Sequence, residues 1–344
     1  MMNMNEIKEK VFNSDEYSFL KQKPLGDNII LIGLGGSYAY GTNVEGSDVD
    51  IRGIATNSAK DILTRKGFEQ VENHETDTVI YSLEKIVSLL SNCNPNVIEM
   101  LGLEDWQYLY VSDIGRSLID NADMFLSQRA VNSFGGYANA QLNRLNNKAV
   151  RLVGQAERER HILASIEHAK YSYPEKYFYH ENDSIKLYVD KAVNEDYETE
   201  IFMDINLHHY PLRDYRSMWS EMNEVVKSYN KVGKRNKHAI AKDKLGKHMC
   251  HLIRLYLMCF DILEKGEINT YRKNDIPFLM NIRNGKYLDD NKQPVKEFFD
   301  IVNEFEAKLD YLKKHTQLPQ NPDYGRINKF LAEVNYRIVI NNGL

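Results

Sequence analysis

Two aspartates and a glycine turn are the residues of this chain whose types and spacing could do chemistry. Asp48 comes eleven positions after Ser37, and Asp50 shares a face with Asp48 if both lie on a strand, where side chains at i and i+2 point the same way. Two adjacent carboxylates repel each other unless a divalent cation lies between them. Mg²⁺ binds through one or two carboxylates and the phosphates of a substrate, so the pair predicts a magnesium site at Asp48 and Asp50.

The turn before these aspartates has the composition of a phosphate-binding turn. An apolar run of strand length, residues 29–34, leads into Gly35, Gly36 and Ser37. The glycines let backbone N–H groups approach an anion closely, and Ser37 adds a hydroxyl and starts a helix whose N-terminus favours phosphate. We therefore expect Gly35, Gly36 and Ser37 to bind the phosphates, with Arg52 neutralising charge nearby.

The ordered set of motifs resembles a known superfamily. Gly35-Gly36-Ser37 followed by Asp48-Val49-Asp50 resembles the signature of the DNA polymerase β-like nucleotidyltransferases. The later segments 75–78, 84–85, 94–96 and 98–101 extend the likeness to the predicted nucleotidyltransferases encoded beside RNA ligases in bacteria and phages. The resemblance covers about residues 27–101. The plain structural alternative is a glycine-rich hairpin with two solvated aspartates.

This resemblance implies a reaction and a third carboxylate. Members of the superfamily move a nucleoside monophosphate from an NTP to a hydroxyl and release pyrophosphate, using two Mg²⁺ ions, for which Mn²⁺ can substitute. A third carboxylate from a neighbouring strand completes a metal site or takes the proton of the attacking hydroxyl. Asp77 matches that position and would be both catalytic and a metal ligand, while Glu75, two residues earlier, is the rival.

A basic segment supplies candidate partners for the substrate. Residues 231–254 carry eight lysines and arginines and a single acid, Asp243. Apolar residues repeat there every three or four positions and predict a buried helical stripe: Leu245, Met249, Leu252, Tyr256, Cys259 and Leu263. A cationic stripe lies about 100° away on the same helix: Lys244, Lys247, His251 and Arg254. We expect Lys244, Lys247 and His251 to bind nucleotide or phosphate, against the alternative of a solvated helix flank.

The elements that must position these residues predict an α+β fold. Strands are expected at 29–34, from Asp48 to residue 56, at 76–82 and, as an edge strand, near 106–111. Amphipathic helices are expected at 4–22 and 82–90. Asn94 and Pro95 start another helix, in which Glu99 is expected to brace helix against sheet. A nucleotidyltransferase domain over 1–112, built on a small mixed sheet, precedes a mostly helical domain over 113–344. A β-hairpin over 185–193 and 197–207 is inserted in the helical domain, and further helices follow from 276, 294 and 324.

Composition narrows the partners. The formal net charge of −5 means that any polynucleotide contact must come from a local patch. The three cysteines are odd in number and lie in apolar helical patterns, which is typical of buried thiols. The N-terminus lacks the apolar run of a signal peptide, so we expect a cytoplasmic protein with no membrane contact. The oligomeric state is not readable from these features.

The acceptor stays open at this level. The likeness to ligase-associated proteins favours an RNA end as the acceptor, while a protein hydroxyl or a small molecule fits the same site. Two further classes remain: a nucleotide-binding regulator without turnover, and a structural RNA-binding protein that uses the basic helix.

Overall fold

A computed structural model of the chain describes residues 2–138, 142, 185–191, 199–220, 223, 245–290 and 294–341. Within them, a five-stranded mixed sheet in the N-terminal region is followed by a mostly helical part, which confirms the predicted α+β class. The strands of the sheet are β1 (Ile29–Leu34), β2 (Ile51–Ala55), β3 (Gln70–Asn73), β4 (Thr78–Ser82) and β5 (Tyr108–Val111).

The strand order is β3-β4-β2-β1-β5. Strands β2 and β4 run parallel, and the other neighbouring pairs are antiparallel. All six residues of β1 are buried, as expected for an apolar strand in the interior of a sheet. The first four α-helices are α1 (Met4–Asn13), α2 (Gly36–Tyr40), α3 (Ala59–Thr64) and α4 (Leu83–Leu90), followed by α5 (Pro95–Ile98) and α6 (Asp113–Asp120).

The N-terminal segment differs from the single helix expected over 4–22. Helix α1 begins at a capping box of Asn3 and Glu6, and the chain turns extended at Ser14, so a separate 3₁₀ helix, Asp15–Lys21, follows. Both helices nevertheless pack on the sheet as predicted. Ile7, Val11, Tyr17 and Leu20 are buried in one cluster with residues of β1 and β2.

Two expectations about the strands were wrong or incomplete. Strand β2 begins at Ile51, where the Ile51 N–H donates to the Asp77 carbonyl, so Asp48 and Asp50 lie before the strand and not on it as expected. Strand β3 was not expected because Gln70–Asn73 is a polar, partly exposed edge strand with one apolar residue.

The helical part follows the predicted pattern. Asn94 caps α5, with Pro95 in its first turn, and a short 3₁₀ helix, Glu99–Gly102, comes next. Residues 129–138 and 212–220 are helical, and the later helices are α7 (Leu245–Lys265), α8 (Ile276–Arg283), α9 (Lys296–His315) and α10 (Tyr324–Asn341). The predicted hairpin is confirmed as β6 (Ile185–Lys191) paired antiparallel with β7 (Thr199–Ile205).

Contacts divide the chain into two compact units. The first comprises Met1–Arg144, Gly246–Leu288 and Pro294–Leu344, and the second comprises Leu145–Leu245 and Asp289–Gln293. The first unit therefore contains the five-stranded sheet and almost all of α7 to α10. The functional division at residue 112 stays a prediction. None of the helices in the described part of the chain has both the length and the apolar character needed to cross a membrane.

Candidate active site

Parallel pairing of β2 with β4 brings Asp50 beside Asp77. Ile51 is paired with Thr78, so the residues just before the two strands lie next to each other. The carboxyl groups of Asp50 and Asp77 lie 3.7 and 4.0 Å from the same atom, Nη2 of Arg52, and Asp77 contributes to the raised pKa of Asp50. Asp77 occupies a turn with φ of +48° and is 63% exposed, whereas the side chain of Asp50 is only 21% exposed. One carboxylate is thus partly buried, and its neighbour faces solvent.

The electrostatics of Asp50 reflect this arrangement. The pKa of Asp50 is raised from its ordinary 3.8 to about 6, chiefly by burial and also by the neighbouring Asp77 carboxyl, while Arg52 and Lys247 oppose the shift. Both causes disfavour a negative charge at Asp50 when no cation is near. A pair of carboxyl groups with this property is suited to receiving a cation.

The glycine turn packs directly against Asp50. The Gly35 N–H donates to the Asp50 carbonyl oxygen over 2.8 Å. Gly36 has φ of +53°, and a Cβ atom at this position would lie 1.8 Å from Oδ2 of Asp50. Gly36 is therefore required twice, by its left-handed backbone and by the carboxylate that occupies the place of a side chain. Ser37 is buried in the first turn of α2.

Arg52 holds the ends of the two strands together. Its Nη1 donates to the carbonyl oxygens of Ile51, over 2.9 Å, and Asp77, over 2.6 Å. Its Nη2 lies 3.7 Å from Oδ1 of Asp50 and 4.0 Å from Oδ1 of Asp77. The guanidinium group thus fixes the turn at Asp77 and also offsets part of the charge of the two carboxylates.

A cavity of about 210 Å³ opens at this point of the first unit. The glycine turn, α2 and the loops around them contribute Gly36, Ser37, Tyr40, Thr42 and Asp50, and helices α7 and α8 contribute Lys247, Cys250, His251, Arg254 and Arg283. Three of these residues carry a fixed positive charge and one is acidic. The cavity wall therefore favours an anionic ligand.

The remaining predicted site residues lie as follows. Asp48 is exposed two residues before Asp50, and Glu75 is exposed in the turn before Asp77, with its N–H donating to the Asn73 side chain. Lys247 is exposed at the cavity, and Lys244 lies outside the described residues. Among the residues that the structure describes, no three His, Cys, Asp or Glu side chains lie close enough together to hold a metal ion. The carboxylates brought together are two, Asp50 and Asp77.

Helix α7 corrects the expected cationic stripe. The predicted apolar stripe is buried, but the rest of the helix between residues 252 and 263 is also buried, apart from half-buried Leu257. Arg254 is only 2% exposed and does not belong to a solvated stripe. Its guanidinium pairs with Glu99, which is itself buried, over 3.1 Å. Helical periodicity located Arg254 on the helix but could not show that an acid distant in sequence covers it.

Four residues of the cavity wall were not predicted for the site. Tyr40 and Thr42 follow the glycine turn, Cys250 adjoins His251, and Arg283 ends α8. Burial raises the pKa of the Cys250 thiol to about 11, so this cysteine is an uncharged wall residue. The position of Tyr40 within the Gly-Ser-Tyr-Ala-Tyr-Gly string was the one available signal.

The mixed sheet, the glycine turn against Asp50 and the carboxylate of Asp77 all lie within the segment of the chain that matches a polymerase β-like family. Residues 4–179 match the RNA repair pathway DNA polymerase beta family (RlaP). The chain belongs to this family. It is also similar to an uncharacterized 38.9 kDa protein in the nrdC-mobD intergenic region of Enterobacteria phage T4, with 25% identity over 334 residues, 87% of this chain and 94% of that protein. No solved structure matches the chain at a significant level.

Proposed function

We propose that the protein is a magnesium-dependent nucleotidyltransferase that moves a nucleoside monophosphate from an NTP to a hydroxyl group and releases pyrophosphate. The observation that carries this proposal is the pairing of Asp50 with Asp77 against Gly36, at a cavity whose wall holds Lys247, Arg254 and Arg283. Carboxylates for a cation and basic groups for phosphates are what phosphoryl chemistry requires. An RNA end is the acceptor that the family description supports.

The residues fit magnesium. The donor set is all oxygen, and the pKa of Asp50 is raised by burial even with Arg52 beside it, so a further cation at the carboxyl pair would be stabilising. Mg²⁺ commonly takes one or two protein carboxylates and completes its shell with water and substrate phosphates, so two adjoining carboxylates suffice. Asp50 and Asp77 would hold the ion, with Asp48 joining from the exposed segment. When bound, Mg²⁺ supplies charge neutralisation on the triphosphate and activation of the acceptor oxygen.

The chain's own residues have distinct tasks in this proposal. Gly36 and Ser37 bind the phosphates through backbone N–H groups and the serine hydroxyl. The Gly35 N–H, which we had expected to join them, is taken by the Asp50 carbonyl oxygen, so Gly35 contributes only close approach of the backbone. Lys247 adds a positive charge from α7, and His251 lines the same wall. Asp77, which is exposed, is the group that can take the proton of a hydroxyl arriving from solvent, as the third carboxylate of the site.

Other acceptors and other classes make different predictions. A protein hydroxyl or a small molecule would receive the same nucleotide at the same carboxylates. A regulator without turnover would bind NTP but would not require Asp77. A structural RNA-binding protein would bind RNA tightly in EDTA, and the exposed Lys247 is the described residue of the predicted basic stripe best placed for that role.

The test is to incubate the protein with each of the four α-labelled NTPs, Mg²⁺ and a bacterial extract, and to follow the label. We expect the label to enter RNA. It should not enter RNA when Asp50→Asn replaces the wild type or when EDTA replaces Mg²⁺. Label in protein or in small molecules would replace RNA as the acceptor while keeping the reaction. Wild-type incorporation by Asp50→Asn would contradict the assignment of the site.

A further inference from the structure

Glu99 and Arg254 form a buried ion pair, of which Arg254 lines the cavity. Their side chains are 8% and 3% exposed, and Nη1 of Arg254 donates to Oε2 of Glu99 over 3.1 Å. The Tyr40 hydroxyl donates to the same oxygen. The ring of Tyr40 lies against the guanidinium group, with 3.5 Å between Cζ of Arg254 and the ring centroid. Two residues thus hold Arg254 from its edge and from its face.

The hydrogen bonds of the Arg254 guanidinium in the described part of the chain involve its two Nη atoms but not Nε. Nη2 of Arg254 donates to Nδ1 of His251 over 3.1 Å, and because arginine cannot accept, the neutral His251 ring keeps its proton on Nε2. Nε of Arg254 is buried and has no hydrogen-bond partner within the described part of the chain. Arg254 lines the cavity, and because buried N–H groups are almost always paired, an unpaired one on this residue points to an acceptor that binds there.

We propose that Glu99 is a positioning residue for nucleotide binding: with Tyr40, it fixes Arg254 so that the unpaired guanidinium N–H donates to an oxygen of the NTP phosphates. This inference rests on the proposed function. Because Glu99 compensates the charge of Arg254, the contribution of Arg254 is a directed hydrogen bond more than net attraction. Lys247 and Arg283, on the same wall, supply further positive charge.

A purely structural role for Glu99 is the competing explanation, since the pair also joins the segment after α5 to α7. Asp261 offers a matched control. It is a buried carboxylate on α7 that pairs with Arg272 and accepts from Lys265 over 3.0 Å, and it does not line the cavity. Glu99→Gln and Asp261→Asn each remove one buried negative charge from an arginine partner. Neither carboxylate lines the cavity, but the arginine that pairs with Glu99 does, whereas the arginine that pairs with Asp261 does not.

The experiment measures the dissociation constant of each of the four NTPs with Mg²⁺ by equilibrium dialysis, alongside the thermal midpoint of each variant. Glu99→Gln should weaken binding of the preferred NTP about tenfold, the effect of losing one hydrogen bond to a charged group. Asp261→Asn should lower the thermal midpoint but leave the dissociation constant within about twofold of wild type. In transfer assays, Glu99→Gln should raise KM for the NTP more than it lowers kcat.

A second variant keeps the inference testable if Glu99→Gln does not fold. Tyr40→Phe keeps the ring under Arg254 and removes the hydroxyl that donates to Glu99, and it should weaken NTP binding in the same direction. If the wild type binds NTP and the variant that folds binds it equally well, the role of Glu99 is overturned, while the proposed function stands. A wild type that binds none of the four NTPs would overturn the proposed function and this inference with it.

Discussion

Replacing Gly36 with alanine tests the packing on which the candidate site depends. The new Cβ atom would lie 1.8 Å from Oδ2 of Asp50, and real Cβ atoms essentially never approach within 3.0 Å. The carboxylate must therefore retreat by at least 1.2 Å, the difference between these two distances. A displacement of about 1 Å of a reacting group can cost about a hundredfold in rate. We expect Gly36→Ala to lower the rate of nucleotidyl transfer by about that factor.

The backbone adds a smaller, separable cost. At φ of +53°, alanine is less stable than glycine by about 1–2 kcal/mol, which lowers the thermal midpoint by several degrees. Gly46 supplies the matched control, because its φ is +77° and nothing lies within 4 Å of a Cβ atom there. Gly46→Ala should therefore lose similar thermal stability and keep its transfer rate.

The assay is incorporation of α-labelled NTP at matched protein concentrations, with Mn²⁺ binding followed by electron paramagnetic resonance as a readout that does not need an acceptor. Gly36→Ala should lose both transfer and metal affinity relative to Gly46→Ala. If the two variants transfer nucleotide at rates within a few-fold of each other, the contact between Gly36 and Asp50 does not matter for the reaction, and our account of the turn fails.

Asp50→Asn should abolish transfer. In EDTA it should nevertheless unfold at a higher temperature than wild type, because burial and Asp77 both disfavour a charge at this position. A lower thermal midpoint would contradict this explanation of the pKa of Asp50. Asp77→Asn should reduce the transfer rate far more than it weakens NTP binding. Glu75 is exposed in the preceding turn, and Glu75→Gln should change neither quantity. If Glu75→Gln reduces the transfer rate more than Asp77→Asn does, Glu75 is the third carboxylate. Lys247→Gln should weaken binding of single-stranded RNA and flatten its salt dependence by about 0.7 logarithmic units per decade if the helix contacts the acceptor, and should raise only the KM for NTP if it serves the triphosphate.

The sheet was predictable where its residues carry a strong pattern. The apolar run of β1 and the cap formed by Asn94 and Pro95 each determine a local structure without help from distant residues. Strand β3 could not be found, because an exposed polar edge strand depends on β4 for its hydrogen bonds and not on its own composition. The start of β2 was misplaced because the pairing of Ile51 with the turn at Asp77 decides it.

The site was predictable in its residue types and less so in its contacts. Glycines followed by paired aspartates indicated the chemistry, but the neighbour of Asp50 is Asp77, 27 residues later, through the parallel register of β2 and β4. The pairing of Glu99 with Arg254 spans 155 residues, and no periodicity within either helix reveals it. Local patterns therefore could not predict that Arg254, a member of the expected basic stripe, is buried in an ion pair with a residue distant in sequence.

The central claim is the transfer of a nucleoside monophosphate, and paired labels test it most directly. The same NTP is supplied in one reaction with label on the α-phosphate and in another with label on the γ-phosphate, with Mg²⁺ and an RNA acceptor. We predict that α-label becomes attached to the acceptor and that γ-label is released as pyrophosphate, both dependent on Asp50. Attachment of γ-label to the acceptor, or release of labelled inorganic phosphate without any transfer of α-label, would contradict nucleotidyl transfer.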